Sequence, residues 1–462
     1  MRAAAHRARA RAGVRFRIRA VLTGLLLLGL SGTAACAPDF PAEGDQLTVI
    51  GPWTGVEEKA FREQVLDVFE EEHGITVHYE GTTAIHELIL SSTLAGDPPD
   101  IAIQSGLGEL ADYHRRGLLQ ELPPGIVDEA NQRAAWLSQP SGMPSRYWVP
   151  VKADLKSIVW HRGDAPPDRA DVSEWCIGML SDATSGWPGS DWIEDILLQQ
   201  AGPQVYEDWA SRELAWDDEE NEAVATAWRT WLDFMHGGDG GAGKYAEEAL
   251  TTDARDRLLF DDKAACALEH QGSFARTFYP DRWFGLDFTP SAGLLPANPP
   301  RGDYHVVSGD FAVMLRESDE AELLLEFLAS EEIQRLRAAT FEATSEEDGD
   351  EAGLLPPSFS ADRRVTDELY TRNDDPVGAR IVRELDGADA LCLDASDVMP
   401  PVIRRVFHEA ALESLAWPWP PPAETPGPGP EQQDPLPAKL ADIQRVQDEL
   451  PGDTPRFDSV CG

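Results

Sequence analysis

The amino-terminal part of the chain alternates strand patterns with helix patterns, and this alternation limits the possible folds more than any other feature. The segment LTVI (47–50) is a short apolar run of the kind that forms a buried strand. In the segment after it, Phe61, Val65 and Phe69 recur at the spacing of one helix face, and Gly74 follows them. Glycine favours the conformation in which helices end, so the pattern predicts a helix that stops at Gly74.

Two further strand patterns follow closely. ITVHYEG (75–81) alternates apolar and polar residues as a half-buried strand does, and a helix pattern over 86–95 leads to the apolar segment IAI (101–103). Strands that alternate with helices in this way form a mostly parallel sheet covered by helices, which is an α/β fold. Ligands in such folds bind beyond the carboxyl ends of the strands.

Two long extended segments predict that the chain leaves this first domain and later returns to it. YWVPVKADLKSIVWH (147–161) is predicted to cross into a second domain, and YHVVSGDFAVML (304–315) to be a return strand. An amphipathic helix is expected over 319–338. The acidic segment 342–353 is expected to be a loop, and the proline-rich segment 418–437 a linker of polyproline character before a terminal helix.

The segment SGWPGSDWIEDILLQQAG (185–202) predicts a helix with an unusual entrance. Asp191 is expected to cap the helix, Glu194 to complete a capping box, and Gly202 to end it. This interpretation accounts for the carboxylates but not for Trp187, which precedes the predicted cap. A tryptophan held in a Gly-Trp-Pro-Gly loop offers a flat apolar surface with polar groups beside it.

The amino terminus has the character of an export signal. The first 20 residues contain seven arginines and no acidic residue, and the apolar run 21–30 and the small residues 31–35 follow. The apolar run is shorter than the roughly 20 residues that span a bilayer. We therefore expect residues 1–35 to be a signal peptide and the rest of the chain to lie outside the cytoplasm.

The segment TAAC (33–36) resembles the lipobox of bacterial lipoproteins, in which the cysteine is lipidated and becomes the first residue. The resemblance implies lipidation of Cys36 and a short tether over 36–46, although Thr33 stands where the commonest lipobox has leucine. At least two acyl tails would then anchor the protein to the outer face of the cell membrane without a spanning segment. Simple cleavage of the signal and retention of the signal are the alternatives.

Four cysteines remain after Cys36, an even number in an oxidising compartment. They allow three pairings, of which we favour Cys176 with Cys266 and Cys392 with Cys461. No two of them lie within a few residues of each other, and the ten histidines show no paired ligand spacing. The sequence therefore predicts no metal site and no cofactor, with calcium bound by scattered aspartates as the alternative.

The chain is strongly acidic. Its formal net charge is −43, and loss of the arginine-rich signal would make it more negative still. Such a field repels nucleic acid, anionic lipid and polyanionic substrates, so none of these is expected as a partner, whereas neutral or cationic ligands are compatible with it. Adaptation of solubility to the medium outside the cell accounts for most of these charges.

Six segments between about residue 47 and about residue 450 occur in an order that is typical of one protein family. They are TVIGPWTGVEEKAFREQVLDVFEEEHGITVHYEG, AGDPPDIAI, VPVKADLKSIVWH, WCIGMLSDATSGWPGSDWIEDILLQQAGPQVYEDW, EHQGSF and LDASDVMPPVIRRVF. Together they resemble the extracellular solute-binding proteins (family 1) of carbohydrate ABC transporters, in particular the α-glucoside-type branch related to maltose-binding protein.

The resemblance implies an α/β fold of the two-lobed, periplasmic-binding-protein-like type II class, with a ligand cleft between the lobes. Lobe 1 would comprise 47–150 and 304–341, and lobe 2 155–300 and 354–417, followed by the linker and by 438–462 as a C-terminal helix and tail. It further implies a monomer without catalytic residues, which binds a small carbohydrate by lobe closure and delivers it to ABC permease subunits.

The chain departs from the family pattern at three places. It has IQSGLG (103–108) where the family usually has a PQPG-like turn, the acidic segment where the family has a GGFISP-like one, and Gly272 where the family reads HQAS. The first two would border the cleft or the hinge. These departures bear on which sugar is bound and not on the class of protein.

A sugar site needs a flat apolar face for the C–H side of the ring and hydrogen-bonding groups for the hydroxyls. GPWTG (51–55) follows the first predicted strand, so Trp53 is a candidate stacking residue, with Thr54 and Gly55 beside it. Packing within the loop is the alternative for this tryptophan.

The entrance of the helix near residue 191 supplies three more candidates. Trp187 is the preferred stacking residue. Asp191 and Trp192 are candidate ligand contacts, for which a helix cap and a core position are the respective alternatives.

Three polar residues complete the candidate set. Gln271 in EHQGSF can donate and accept, Asp310 is expected where a strand passes into a turn, and Asp397 is expected to cap a segment that enters a helix. A buried loop amide, turn stabilisation and capping alone are the alternatives. His270 occurs without a Ser or Cys nucleophile motif, so no catalytic histidine is predicted.

Two other functions remain compatible with the sequence. A secreted glycoside hydrolase would use a pair of carboxylates, but the chain resembles no hydrolase motif. A receptor for another polar solute, such as a polyol, would use the same cleft. Release of product from a glucoside would indicate the hydrolase, and binding without turnover would leave the two receptors.

Overall fold

The structure is a computed structural model. It describes residues 46–163, 171–237, 243–256, 258–261, 266–279, 283–296, 301–343, 353–420 and 434–462. The predicted signal peptide, Cys36 and almost all of the predicted tether lie outside these residues. Most of the acidic segment and of the proline-rich linker lie outside them too.

The described residues contain eleven strands. They are β1 (Gln46–Gly51), β2 (Thr76–Gly81), β3 (Ile101–Gln104), β4 (Trp148–Leu155), β5 (Ile158–His161), β6 (Leu268–His270), β7 (Asp287–Pro290), β8 (Tyr304–Met314), β9 (Phe341–Ala343), β10 (Gly353–Leu355) and β11 (Ala390–Leu393).

Fifteen α-helices occur in the same residues, together with short 3-10 turns. They are α1 (Val56–Phe61), α2 (Asp67–His73), α3 (Ile85–Ala95), α4 (Leu107–Arg115), α5 (Trp187–Ala201), α6 (Pro203–Ala210), α7 (Ala223–Met235), α8 (Lys244–Ala249), α9 (Asp319–Ala329), α10 (Glu331–Leu336), α11 (Asp367–Arg372), α12 (Pro376–Gly387), α13 (Ala395–Val398), α14 (Pro401–Ser414) and α15 (Pro435–Asp448).

The largest sheet contains six strands and begins with the predicted parallel unit. β1 pairs in parallel with β2 and with β3, and helices connect these strands as the alternating sequence pattern predicts. β8 runs antiparallel to β3 and to β4, and its first residues pair in parallel with β11. The sheet is therefore mostly parallel at one end and mixed where β8 enters it.

The two long strands β4 and β8 lie side by side in the six-stranded sheet. They pair from Trp148 opposite Val313 to Leu155 opposite Val307, and every residue of β4 is buried. β5 begins three residues after β4 but belongs to a second sheet, with the order β6-β5-β7. The predicted crossing over 147–161 thus consists of two strands in two sheets. The division into lobes at the predicted boundaries stays a prediction.

Two helix predictions have different outcomes. The first helix runs from α1 through a π-helical turn (Arg62–Leu66) into α2 and ends at Gly74, which has the left-handed φ of 73° that glycine adopts without strain. The single helix predicted over 319–338 is wrong. The chain forms α9 and α10, because Ser330 leaves the helical conformation and its hydroxyl accepts a hydrogen bond from Ile333 N.

Both favoured disulfides are present. Cys176 is bonded to Cys266, and Cys392 on β11 is bonded to Cys461, which holds the C-terminal tail against the large sheet. No helix in the described part of the chain has the length and apolar character needed to cross a membrane.

Candidate functional site

Helix α5 begins at Trp187, four residues before the predicted cap. Gly186 precedes it with a φ of 102°, and a Cβ at this position would lie 2.1 Å from the carbonyl oxygen of His408. Only glycine fits this conformation and this space. Pro188 follows in the first turn, where the missing N–H costs nothing. The prediction that Asp191 caps α5 is therefore wrong, because Asp191 is already the fifth residue of the helix.

The two carboxylates of the predicted capping box have other partners. Asp191 is buried, and its Oδ1 lies 2.7 Å from Lys156 Nζ. Glu194 accepts hydrogen bonds from the backbone N–H groups of Ala395 (2.8 Å) and Ser396 (3.1 Å). These N–H groups lie at the start of α13, where they have no partner within the helix. Glu194 therefore fixes α13 against α5.

Lys156 lies at the centre of a group that we call the Lys156 cluster: Lys156, Asp191, Asp394, Asp397 and Arg404. The ammonium group contacts Asp191 and also forms an ion pair with Asp394. Arg404 lies 3.1 Å from Asp397. All of these residues except Arg404 are buried. Neighbouring side chains, and not water, must therefore stabilise each charge.

Burial raises the pKa of Asp191 well above its ordinary value, against the opposing effect of Lys156. Burial also opposes ionisation of Asp394, but Lys156 and the Ser396 hydroxyl outweigh it and hold the pKa of Asp394 below its usual range. Burial and the charge of Asp394 raise the pKa of Asp397 to about 7. The cluster therefore contains both ionised acceptors and groups that change protonation near neutral pH.

A second group lies where β4 and β8 pair, and we call it the Lys152 cluster: Glu57, Lys152, Asp154 and Asp310. Lys152 Nζ is 2.9 Å from Glu57 Oε1 and 3.8 Å from Asp154 Oδ2. Lys152 and Asp310 are opposite each other in the strand pair. Burial raises the pKa of Asp154 to about 6, although Lys152 and the Ser273 hydroxyl lower it.

Trp53 is held by this second cluster and does not present a free face. Its Nε1 donates to Asp310 Oδ2 at 3.0 Å, the guanidinium carbon of Arg337 lies 4.7 Å from the ring centroid, and Phe61 contacts the ring edge-on. Only 2% of the residue is exposed. The structure therefore places Trp53 in packing around the end of β1, the alternative given for it above.

A small cavity lies between Trp53, Glu57 and Arg337 and is bordered by Phe341 and Leu355 at the ends of the acidic segment. Its volume of about 30 Å³ suits ordered water molecules and not a sugar ring.

Trp187 differs from almost all other tryptophans in being only half-buried. Of the fourteen in the chain, all of them described, twelve are buried, and only Trp187 and Trp417 are half-buried. Lys156 Nζ lies 5.8 Å from the Trp187 ring centroid, and the half-buried Phe274 contacts the ring edge-on at 5.9 Å. An apolar ring face thus lies next to the charged groups of the Lys156 cluster.

Neighbouring residues of the chain connect the two clusters. Lys152, Asp154 and Lys156 alternate along the chain at the period that places side chains on one face of a strand. The Ser273 hydroxyl donates to Asp154 Oδ1 at 2.6 Å, and the next residue, Phe274, contacts Trp187. Aromatic rings and charged hydrogen-bonding groups therefore lie around the end of β4, where the chain passes from the six-stranded sheet to β5 of the second sheet. This arrangement suits a polyhydroxylated ligand.

The segment IQSGLG (103–108), which departs from the family pattern, borders this site. Gln104 donates to Glu109 of α4, and Glu109 lies 3.7 Å from Arg404. A Cβ on Gly108 would lie 1.9 Å from the carbonyl oxygen of Met399, so the backbone of α4 packs directly against the segment after α13.

Two predicted ligand contacts lie elsewhere. Trp192 is 2% exposed and is stacked on Phe234 at 5.2 Å and edge-on to Trp175, which is the core position given above as its alternative. Gln271 is buried in a loop, where its amide donates to the carbonyl of Ala254 at 2.8 Å.

Two other predicted contacts lie in the site with different roles. Asp310 lies within β8 and not in a turn, and it accepts from Trp53. The cap of α13 is Asp394, whose side chain accepts from Asp397 N, so Asp397 is free of the predicted capping role and pairs with Arg404.

Thr54 and Gly55 lie exposed before α1. Ligand contact at these two positions stays a prediction.

Three charged residues of the site were not predicted from the sequence. They are Lys152 and Asp154 of β4 and Lys156, which follows the strand. The signal was present in VKADLK (151–156), where three charges alternate within a segment otherwise apolar enough to be a buried strand. Charges at alternate positions of such a strand need partners on one face, which indicates a polar cluster.

A family model described as bacterial extracellular solute-binding protein matches residues 53–335. An α-glucosides-binding periplasmic protein of Rhizobium meliloti is 29% identical over 322 residues, covering 62% of this chain and 69% of the relative. An osmoprotective compounds-binding protein of Synechocystis sp. is 27% identical over 421 residues, covering 84% and 92%.

Solved structures of solute receptors share the fold. A bacterial solute receptor with a preference for β-D-galactopyranose superposes with a TM-score of 0.60 at 14% identity, covering 88% of this chain and 99% of that one. A maltose-maltodextrin binding protein of Alicyclobacillus acidocaldarius has a TM-score of 0.57 at 12% identity, covering 87% of this chain and all of the other. The expected two-lobed α/β fold is confirmed by these similarities.

Proposed function

Since this chain belongs to the family of bacterial extracellular solute-binding proteins, we propose that it is the substrate-binding component of an ABC importer for an α-glucoside or a related oligosaccharide. In this role the protein binds its ligand outside the cytoplasm, closes its lobes over it and delivers it to permease subunits. The protein itself carries out no covalent chemistry.

The position of Trp187 is the observation that carries this proposal. It is one of the two half-buried tryptophans, and it lies beside Lys156 and Phe274. The ring would stack on the C–H face of a glucose unit, and the Lys156 cluster would exchange hydrogen bonds with the hydroxyls. Closure of the lobes would remove water from these bonds and strengthen them.

The charge of the site supports a neutral ligand. Glu57, Asp154 and Asp310 surround Lys152 where β4 and β8 pair. The whole chain has a formal net charge of −43. A phosphorylated sugar or a sugar acid would be repelled by this field. A neutral sugar encounters no such repulsion, and its hydroxyls can donate to the carboxylates.

The relatives support two ligand classes. The Rhizobium meliloti relative binds α-glucosides, which favours the main proposal. The Synechocystis relative binds osmoprotective compounds and matches over a larger share of both chains. This second match favours the alternative that the ligand is another polar solute, such as a polyol, bound in the same site.

Calorimetry on residues 37–462 tests the proposal. The panel contains maltose, trehalose, sucrose and other glucosides, with polyols as the competing class, and product analysis follows each titration. We expect at least one glucoside to bind at micromolar Kd, about −8 kcal/mol, and to be recovered intact. Binding of polyols alone would support the alternative receptor, hydrolysis would support the glycoside hydrolase, and no binding across the panel would contradict both ligand classes.

We also propose that Cys36 anchors the protein to the outer face of the cell membrane, on the strength of its lipobox-like segment. Mass spectrometry of the amino-terminal peptide tests this directly. A lipid-modified Cys36 in the natural chain, and release of the Cys36→Ser variant into the medium, are the expected results. An unmodified cysteine would contradict the anchor without affecting the proposed ligand.

A further inference from the structure

Three side chains with metal-binding groups meet at the beginning of β8. Asp303 immediately precedes the strand, His305 is its second residue, and Glu384 extends from α12. His305 Nε2 is 3.2 Å from Asp303 Oδ1 and 3.8 Å from Glu384 Oε2, and all three ligand atoms lie within 4.8 Å of one another. None of these residues belongs to the Lys152 or Lys156 cluster.

His305 is the unusual member of this group. It is 1% exposed, and neither of its ring nitrogens has a hydrogen-bond partner among the described residues. Buried polar groups without a partner are rare in folded proteins, so each one needs an explanation. The Nε2 atom faces two carboxylates, which is the arrangement expected when a cation belongs between them.

The backbone holds the three ligands in place. Asp389 N donates to the carbonyl of Asp303, and Asp303 N donates to a carboxylate oxygen of Asp389 at 3.1 Å. β11, which follows α12, pairs with β8 starting at Tyr304 opposite Ala390. The ligands therefore project from a strand and a helix of fixed relative position, which lowers the cost of assembling a site.

We propose that Asp303, His305 and Glu384 form a binding site for a divalent transition-metal ion, with Zn²⁺ as the best match. Ligand atoms around a tetrahedral zinc ion with bonds of about 2.1 Å lie about 3.4 Å apart, close to the two distances from His305 Nε2. Asp303 is exposed and Glu384 half-buried, so the ion can enter and water can complete its coordination.

The donor set predicts which ions bind. One imidazole and two carboxylates suit Zn²⁺, whereas Ca²⁺ takes six to eight oxygen ligands and Mg²⁺ requires octahedral oxygen coordination. The ion would link β8 to α12 and stabilise the folded state, because the unfolded chain has no preformed site. Only one histidine takes part, so the group leaves no paired-histidine spacing in the sequence.

Titration of chelator-treated residues 37–462 with ZnCl2, followed by calorimetry and thermal unfolding, tests the site. We expect one zinc ion per chain, a higher Tm with zinc, and much weaker binding of Ca²⁺ and Mg²⁺. Asp303→Asn and Glu384→Gln should each weaken zinc binding by at least about tenfold, since loss of an outer-shell partner alone costs 10–100-fold. Glu247→Gln, which removes an exposed carboxylate outside the group and its supporting hydrogen bonds, should leave the affinity unchanged.

Zinc also binds weakly to surface carboxylates of an acidic protein, so the variants decide the outcome. Binding that neither Asp303→Asn nor Glu384→Gln changes would overturn the proposal, and so would the absence of binding to the folded natural chain. Circular dichroism establishes that both variants fold. In crystals soaked with zinc, an anomalous peak about 2.1 Å from His305 Nε2 is expected.

Discussion

Lys156 Nζ and Asp191 Oδ1 form a buried ion pair at 2.7 Å, which joins the residue after β4 to the fifth residue of α5. Asp394 contacts the same ammonium group, so two carboxylates share one lysine. The three residues come from different segments of the chain, and Lys156 Nζ lies 5.8 Å from the Trp187 ring centroid. Their charges are therefore coupled to both the stability of the fold and the chemistry of the site.

Removal of the lysine should be far more damaging than removal of one carboxylate charge. Lys156→Met leaves Asp191 and Asp394 buried without this cation, and we expect a loss of about 3–5 kcal/mol in the free energy of unfolding. Asp191→Asn leaves Asp394 paired and should cost about 1 kcal/mol or less. Urea denaturation at pH 7 measures both, and equal losses would contradict the assigned roles.

Trp187→Ala should weaken ligand binding without unfolding the protein. Loss of a central stacking tryptophan costs about 2 kcal/mol or more, roughly 30-fold in Kd. Trp417→Ala is the matched control, because Trp417 is the other half-buried tryptophan and does not take part in either cluster. Calorimetry should give an unchanged Kd for the control. A similar Kd for both variants and the natural chain would exclude Trp187 as the stacking residue.

Gly272→Ala should disturb the site through Phe274. The backbone at residue 272 accepts alanine, with a φ of −61°, but the added Cβ would lie 2.5 Å from the Phe274 ring and 3.3 Å from Lys156 Cγ. Overpacking of this kind costs about 1–3 kcal/mol, and the displaced ring should alter ligand affinity.

The double variant Gly272→Ala/Phe274→Ala separates the clash from other effects of the substitution. Removal of the ring removes the clash, so the added alanine should cost much less in the Phe274→Ala background. Denaturation and calorimetry on all four chains of this cycle provide the test. Strictly additive losses would show that the two residues do not interact.

Glu269 should make the protein less stable as the pH rises towards neutrality. The residue is 5% exposed, and its carboxyl accepts a hydrogen bond from the Tyr279 hydroxyl at 2.6 Å. Burial raises the pKa of Glu269 to about 7, from an ordinary value of 4.5, although the hydroxyl lowers it in part. The folded state therefore retains a proton that the unfolded state has already lost between these two pH values.

The stabilisation due to this proton is fully present below about pH 4.5 and is lost as the pH rises to about 7, with a total of about 3 kcal/mol. Glu269→Gln should flatten the fall in unfolding free energy between pH 5 and pH 7. Glu247→Gln, at an exposed position, is the control. Denaturation at pH 5, 6, 7 and 8 gives the slopes, and equal slopes for the two variants would disprove this role of Glu269.

Much of the fold could be predicted because its signals are local. The spacing of Phe61, Val65 and Phe69 and the position of Gly74 depend only on which face of one helix is buried and where it ends. β1 and β3 could be predicted from their apolar runs for the same reason. Where the predictions were wrong, as at Ser330 and at the start of α5, a single residue next to the element decided the boundary.

The site could be predicted only in part. Trp187 was found because its loop sequence is distinctive, whereas the partners of the charged groups were not found. Asp191 lies 35 residues from Lys156 in the sequence, and Asp394 lies 238 residues from it. No local pattern relates residues at such distances, so their pairing depends on how the strands and helices pack.

By itself the sequence determined the order of strands and helices, the two long crossing segments and the family, because periodicity and motif order are properties of the chain alone. The tertiary structure decided that Trp53 and Trp192 are packed in the interior and which carboxylates share Lys156. These contacts join residues from different segments of the chain, so no local pattern specifies them. A buried charge is stable only beside a partner, and packing alone brings that partner within reach.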